Sequence, residues 1–158
     1  MKTVELLAPS GNEEAFFAAI NNGADAVYLG LSSFNARIKA DNFNMDNIRK
    51  ITHFAHLFGV KVYITVNTII KNNEVNEFLN MIDECVNAKV DAFIIQDYGV
   101  AYLLKNRYKD IVMHASTQLG IHNLSGALVA QKLGFKRIIL SRETTLEDIK
   151  NIKQNTDL

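Results

Sequence analysis

Short apolar runs recur along the chain. Each follows a helix-like stretch that often ends at a glycine, and each stops at a polar residue. The runs cover residues 4–8, 23–30, 59–67, 90–97, 111–116 and 134–141. Near-continuous β-rich runs alternating with helices predict a parallel sheet covered by helices. Sheets of that kind carry their chemistry at one end, where strands stop and polar residues begin.

The intervening stretches have readable caps and faces. Ser10 with Glu13 fits a capping box, and Phe16, Ala19 and Ile20 share the face that follows. Asn44 caps a helix whose Met45, Ile48, Ile51, Ala55 and Phe58 keep a three-to-four spacing up to Gly59. A third helix starts near Asn73, Asp97 caps a fourth, and Asn123 caps a fifth that Gly134 stops. Thr144 with Glu147 forms another capping box ahead of Leu146, Ile149 and Ile152.

These elements make six strand–helix units spaced by roughly 25–30 residues, the pitch of a (βα)8 barrel of about 250 residues. The sequence therefore predicts an α/β fold of parallel (βα) repeats: six units of a TIM-like (βα)8 barrel, two short of closure. A doubly wound open sheet is the rival. It is disfavoured because no Gly-x-Gly-x-x-Gly follows the first strand, and because polar residues close nearly every strand rather than those at one switch point.

Composition narrows the picture. At 158 residues, with one proline and no low-complexity tract, the chain reads as a single domain over 1–158. Lys+Arg and Asp+Glu are both 17, so the whole chain has no basic field for nucleic acid or membrane, although a local basic patch remains open. The single cysteine, Cys85, excludes an intrachain disulfide and an all-cysteine metal site, and it fits a reducing, cytoplasmic compartment. An acid at Glu5 comes too early for a signal peptide, and no apolar run approaches the roughly 18 residues of a membrane span.

In a barrel the informative positions are the carboxyl ends of strands and the loops after them. Here these hold Ser10 and Gly11; Tyr28 and Gly30; Thr65 and Asn67; Gln96 and Asp97; His114, Ser116, Thr117 and Gln118; Ser141, Arg142 and Glu143. Glu5 lies within the first strand and can point into the barrel. The 31–43 loop exceeds the usual 2–6 residues of a βα connection. It interleaves Arg37 and Lys39 with Phe34 and Phe43, which suits an anionic or planar ligand. The plainer reading has its phenylalanines pin it to the barrel top.

His114 is the only histidine at a strand end and the natural general base. The alternative is a buried histidine bonded to a neighbouring strand. Ser116 lacks a Gly-x-Ser-x-Gly elbow, which weakens a serine-nucleophile reading. Cys85 falls on the apolar side of a helix and reads as a core thiol. Arg142-Glu143 reads either as a carboxylate-binding pair or as a structural ion pair at the rim. The candidate catalytic set is thus His114, Glu5, Arg142 and Glu143. The candidate substrate contacts are Ser10, Tyr28, Arg37, Lys39, Asn67, Gln96, Ser116, Gln118 and Ser141. No metal ligand set is expected.

Glu5-Leu6-Leu7-Ala8-Pro9-Ser10-Gly11-Asn12, Gly23-Ala24-Asp25-Ala26-Val27-Tyr28-Leu29-Gly30 and Asn42-Phe43 resemble the start of the U-32 peptidase family, the collagenase-like proteases. Val62-Tyr63-Ile64-Thr65-Val66-Asn67, Asp91-Ala92-Phe93-Ile94-Ile95-Gln96-Asp97-Tyr98-Gly99, His114-Ala115-Ser116-Thr117-Gln118 and Ile139-Leu140-Ser141-Arg142-Glu143 extend the resemblance in the same order. It implies a barrel-type fold and a peptidase or hydrolase description. It also implies, for similar members, oxygen-independent hydroxylation of tRNA or rRNA bases, linked to prephenate for some, or of a quinone. Several such members carry an iron–sulfur cluster on cysteines beyond the matched segment. The resemblance therefore implies a cluster in a longer family member and no cofactor within this chain.

Three functions follow as expectations. One is a collagenase-like peptidase domain lacking its complete active site. The second is part of an RNA- or quinone-hydroxylating protein. The third is a non-catalytic fragment that pairs with a second copy through open sheet edges. The substrate is accordingly a peptide, an RNA or a small anion, with no membrane partner.

Overall fold

The computed structural model describes residues 4–36 and 43–158. Among the described residues, six strands alternate with six α-helices: β1 (Leu7–Pro9), α1 (Glu13–Asn21), β2 (Ala26–Gly30), α2 (Met45–Leu57), β3 (Lys61–Val66), α3 (Val75–Asn87), β4 (Ala92–Ile95), α4 (Tyr98–Arg107), β5 (Met113–Ala115), α5 (Leu124–Leu133), β6 (Arg137–Ile138) and α6 (Leu146–Asn155). This bears out the expected class, the parallel (βα) repeat of an incomplete TIM-like α/β barrel. The residues divide into two compact units: Met1–Val66 with Ile70–Asp91, and Asn67–Ile69 with Ala92–Leu158.

In the first unit β1 pairs with β2 and β2 with β3, both parallel, in the register Ala8↔Val27↔Val62. Strand parity puts Val27 and Leu29 on one face with Val62, Ile64 and Val66, all 2% exposed or less. The buried rows of the three helices, led by Phe16, Ile48 and Phe78, complete the core. Burial of each such side chain contributes about 1.5–3 kcal/mol. The opposite face carries Tyr28 and Gly30 beside Tyr63 and Thr65. The second unit repeats the plan. β4 pairs with β5 and β5 with β6, again parallel, with Ile94↔His114↔Arg137 in register.

Two caps differ from the sequence expectation, those of α1 and α6. Ser10 is still held by the sheet, its N–H donating to Tyr28 O at 2.9 Å, so Asn12 caps α1 by accepting from the Ala15 N–H. The third helix begins at Val75, near Asn73 as expected, with Glu74 at its N-cap and no side-chain cap bond. At α6 the capping box is Thr145 with Asp148, because Thr144 is occupied closing a turn onto Ser141 O. Asn44, Asp97 and Asn123 cap as expected. α5 stops at Gly134, whose φ of +95° a side chain would resist.

Candidate functional site

In the first unit the carboxyl ends of β1, β2 and β3 bring together Ser10, Gly30 and Thr65. Ser10 is 2% exposed, and its Oγ has no hydrogen-bond partner among the described residues. Tyr28 is half-buried one strand away. Thr65 Oγ1 donates to Leu29 O at 3.1 Å and to Asn35 Oδ1 at 3.4 Å. Asn35 is 3% exposed and lies over Gly30 so closely that a Cβ there would come within 2.0 Å of its Nδ2. Sequence reasoning missed Asn35; a glycine closing a strand was the one signal for a close approach.

The base of the 31–43 loop is stapled by a parallel bridge between Leu31 and Phe43. Phe43 is 4% exposed with its ring against Phe16, and Phe34 meets Phe78 edge-on at 5.5 Å. Both phenylalanines therefore pin the loop to the core, and Phe43 has no face left for a ligand. Phe34 adopts φ +56°, a left-handed conformation costly for a side-chain residue. Arg37 and Lys39 lie outside the described residues.

Glu5 sits at the other end of these strands. Its carboxylate accepts from the Tyr63 hydroxyl at 3.0 Å and lies 3.4 Å from Nζ of Lys61, the first residue of β3. This buried tyrosine contact and partly exposed ion pair tie the start of the chain to β3, away from Ser10 and Thr65.

In the second unit the strand-end groups form a connected chain. Ser116 continues β5, donating its N–H to Ile95 O at 2.8 Å. Ser116 Oγ accepts from the Gln118 N–H at 3.3 Å and lies 3.4 Å from Gln118 Oε1. Gln118 Oε1 in turn accepts from Asn67 Nδ2 at 2.7 Å. Both Ser116 and His114 are 4% exposed, two residues apart on one strand. The register sets His114 beside Arg137 of β6, a neighbour that sequence reasoning missed because register is invisible in one strand. Gln96 is half-buried just past β4, and Asp97 accepts the Gly99 and Val100 N–H groups at 2.7 and 3.1 Å as the α4 cap.

The Ser116 hydroxyl is thus bonded to an amide rather than to an imidazole, which is not the nucleophile–base geometry of acyl transfer. Ser141 holds the turn after β6, with its N–H on Ile121 O at 3.2 Å and its carbonyl accepting from Thr144. Arg142 and Glu143 on that turn are both exposed and form no ion pair with each other or with any other described residue. Arg142 therefore presents a guanidinium that a ligand carboxylate or phosphate can take.

Among the described residues, no three His, Cys, Asp or Glu side chains gather in a metal-holding group. The thiol of Cys85 is fully buried in α3 and pushed up to about 12, first by burial and then by the Glu84 charge. A cluster needs several accessible thiolates, so the residues present do not fit an iron–sulfur centre. No helix among the described residues is long and apolar enough to cross a membrane.

The family model described as peptidase family U32 matches residues 11–158. The chain is 38% identical over 154 residues to the 23S rRNA 5-hydroxycytidine C2501 synthase of Escherichia coli, which covers 98% of the chain and 23% of that protein. It is 39% identical over 155 residues to the tRNA hydroxylation protein P of Helicobacter pylori, which covers 98% of the chain and 37% of that protein. The chain thus spans well under half the length of these curated relatives. Among solved structures, that of the U32 peptidase Mk0906 superposes with a TM-score of 0.77 at 12% identity, covering 98% of this chain and 66% of that one.

Proposed function

The chain belongs to peptidase family U32, and on that premise we propose that it forms the (βα)-repeat part of a protein that hydroxylates an RNA base. The supporting observation is the Asn67–Gln118–Ser116 hydrogen-bond chain beside His114 at the strand ends of the second unit. Amide and hydroxyl groups supply both donors and acceptors, which suits the edge of a flipped or single-stranded base. Gln96 extends the set and Arg142 adds a cation for a phosphate or a small carboxylate substrate. Any iron–sulfur cluster would be held by parts of a longer protein, and a cytoplasmic location follows from an RNA substrate.

The names of the two relatives, one acting on rRNA and one on tRNA, favour this reading. The family description favours a peptidase as the second reading. The geometry supports it less, because Ser116 lacks a base and Cys85 is an inaccessible thiol.

The test is nucleoside mass spectrometry on RNA from cells lacking the gene, complemented with the whole protein. Loss of a nucleoside carrying one added oxygen, restored by the parent but not by His114→Ala or Gln118→Ala, is the expected result. An unchanged nucleoside profile in the deletion, together with cleavage of gelatin by the purified protein, would replace this reading with the peptidase one.

A further inference from the structure

The chain is neutral, but its charge is unevenly divided. Asn67–Ile69 with Ala92–Leu158 hold nine Lys and Arg against six Asp and Glu, a net of +3 that the rest of the sequence balances. Between positions 105 and 137 the bias is stronger: Lys105, Arg107, Lys109, Lys132, Lys136 and Arg137 face one acid, Asp110.

The fold of the second unit gathers five of these cations at one end. Lys105 and Arg107 lie in the last turn of α4, and Lys132 lies in the last turn of α5. The Lys105 stem crosses Gly134, coming within 3.3 Å of where a Cβ would sit, and its Nζ donates to Lys132 O at 2.8 Å. Lys109 is on the segment entering β5. Lys136 precedes β6, its N–H donating to O of Met113, the first residue of β5, at 2.8 Å. All five side chains are exposed, and none of the four lysines forms an ion pair with a described carboxylate. Aromatic groups are interleaved with them: the Arg107 guanidinium lies 5.5 Å from the Tyr108 ring centre, and Tyr102 is 63% exposed.

Cations in a last helical turn offset the helix dipole, by about 0.3–1 kcal/mol each. That accounts for Lys105, Arg107 and Lys132. It does not account for Lys109 and Lys136, which lie outside the helices, or for their convergence with the other three.

We infer that this cluster, at the amino-terminal ends of β5 and β6, is a docking surface for the sugar–phosphate backbone of RNA. It is separate from the strand-end group around Ser116. The inference rests on the RNA reading above for its choice of polyanion. Lysines without carboxylate partners act as phosphate contacts through counterion release, which is strong, salt-dependent and indifferent to sequence. A stacked Arg–Tyr pair beside an exposed tyrosine adds a platform for an unpaired base. The surface would hold the body of an RNA, while the strand-end group meets the base.

The experiment is fluorescence anisotropy with labelled tRNA from about 50 to 200 mM salt. It compares the parent with Lys109→Glu/Lys132→Glu/Lys136→Glu, the same triple to Gln, and Arg49→Glu/Lys50→Glu on α2 as a charge control. Circular dichroism confirms that each variant is folded, and the Gln triple serves if the Glu triple is not. The expected result is at least tenfold weaker binding by either triple and a log K against log salt slope shallower by about 2–3, since each lost phosphate contact removes roughly one unit. The control should match the parent. Binding unchanged in the triples overturns the surface while leaving the RNA reading intact. So does parent binding to anionic vesicles or poly-glutamate as tight as to tRNA. An RNA deletion profile without change would instead remove the RNA reading itself.

Discussion

Gly30→Ala is a sharp test of how β2 is held. The added Cβ would lie 2.0 Å from Asn35 Nδ2, 2.5 Å from its Cγ and 3.0 Å from its Oδ1. The first two separations are closer than carbon contacts reach, so the amide must retreat by about 1 Å or swing away. Asn35 is 3% exposed and shares Thr65 Oγ1 with the β2 backbone, so it has little room to move without losing a buried hydrogen bond. That loss costs about 1–3 kcal/mol, and the strain of overpacking adds about 1–3 kcal/mol. The substitution should therefore cost about 2–6 kcal/mol, a large part of the 5–15 kcal/mol typical of a folded domain. Urea denaturation followed by circular dichroism measures it. With a slope of about 2 kcal/mol/M, the midpoint should fall by roughly 1–3 M. Asn35→Ala removes the clashing group, so Gly30→Ala in that background should cost under about 1 kcal/mol. A Gly30→Ala midpoint equal to the parent's, or an equal cost in both backgrounds, would refute the reasoning.

Gln118→Glu keeps an acceptor for Asn67 Nδ2, so its melting temperature should match the parent's while RNA or anionic-ligand binding weakens; Gln118→Ala should lower both. Cys85 should resist a thiol reagent in the native protein and react on unfolding, because its thiol is raised from 9.0 to about 12. Since the unfolded chain loses that proton first, stability should fall as pH climbs from about 9 towards about 12, and Cys85→Ala should flatten that fall. Thr145→Ala should cost about 0.5–2 kcal/mol by removing the α6 cap, read by urea titration. The Thr145 side-chain hydrogen bond, followed by its backbone N–H, holds the Asp148 carboxyl below its usual range. The contribution of that pair should be complete above the ordinary carboxylate pKa and disappear as pH falls through the lowered one; a pH-independent Thr145→Ala effect would contradict it.

Much of this architecture was legible in the order of apolar and polar residues. Strand parity and helix spacing depend on neighbours a few positions apart, so Val62, Ile64 and Val66, or Ile48, Ile51 and Ala55, announce their burial locally. The caps at Asn44, Asp97 and Asn123 are equally local, since a side chain there meets an N–H two or three residues on. Ser10 and Thr144 misled for the same reason: each has capping chemistry, but a partner strand or turn had already claimed its backbone.

The strand-end positions were legible as a set of polar residues, and their pairings were not. Asn67 with Gln118 spans 51 positions, Glu5 with Tyr63 spans 58, and His114 beside Arg137 depends on the β5–β6 register. The basic cluster of the second unit was hidden in a zero net charge, because cations at 105 and 136 become neighbours only when α4 and α5 end at the same level. The sequence by itself determined the repeat, the core faces and the family. Tertiary structure alone decided which polar groups touch, because hydrogen bonds and charge clusters act over a few ångströms of space, whatever the separation along the chain.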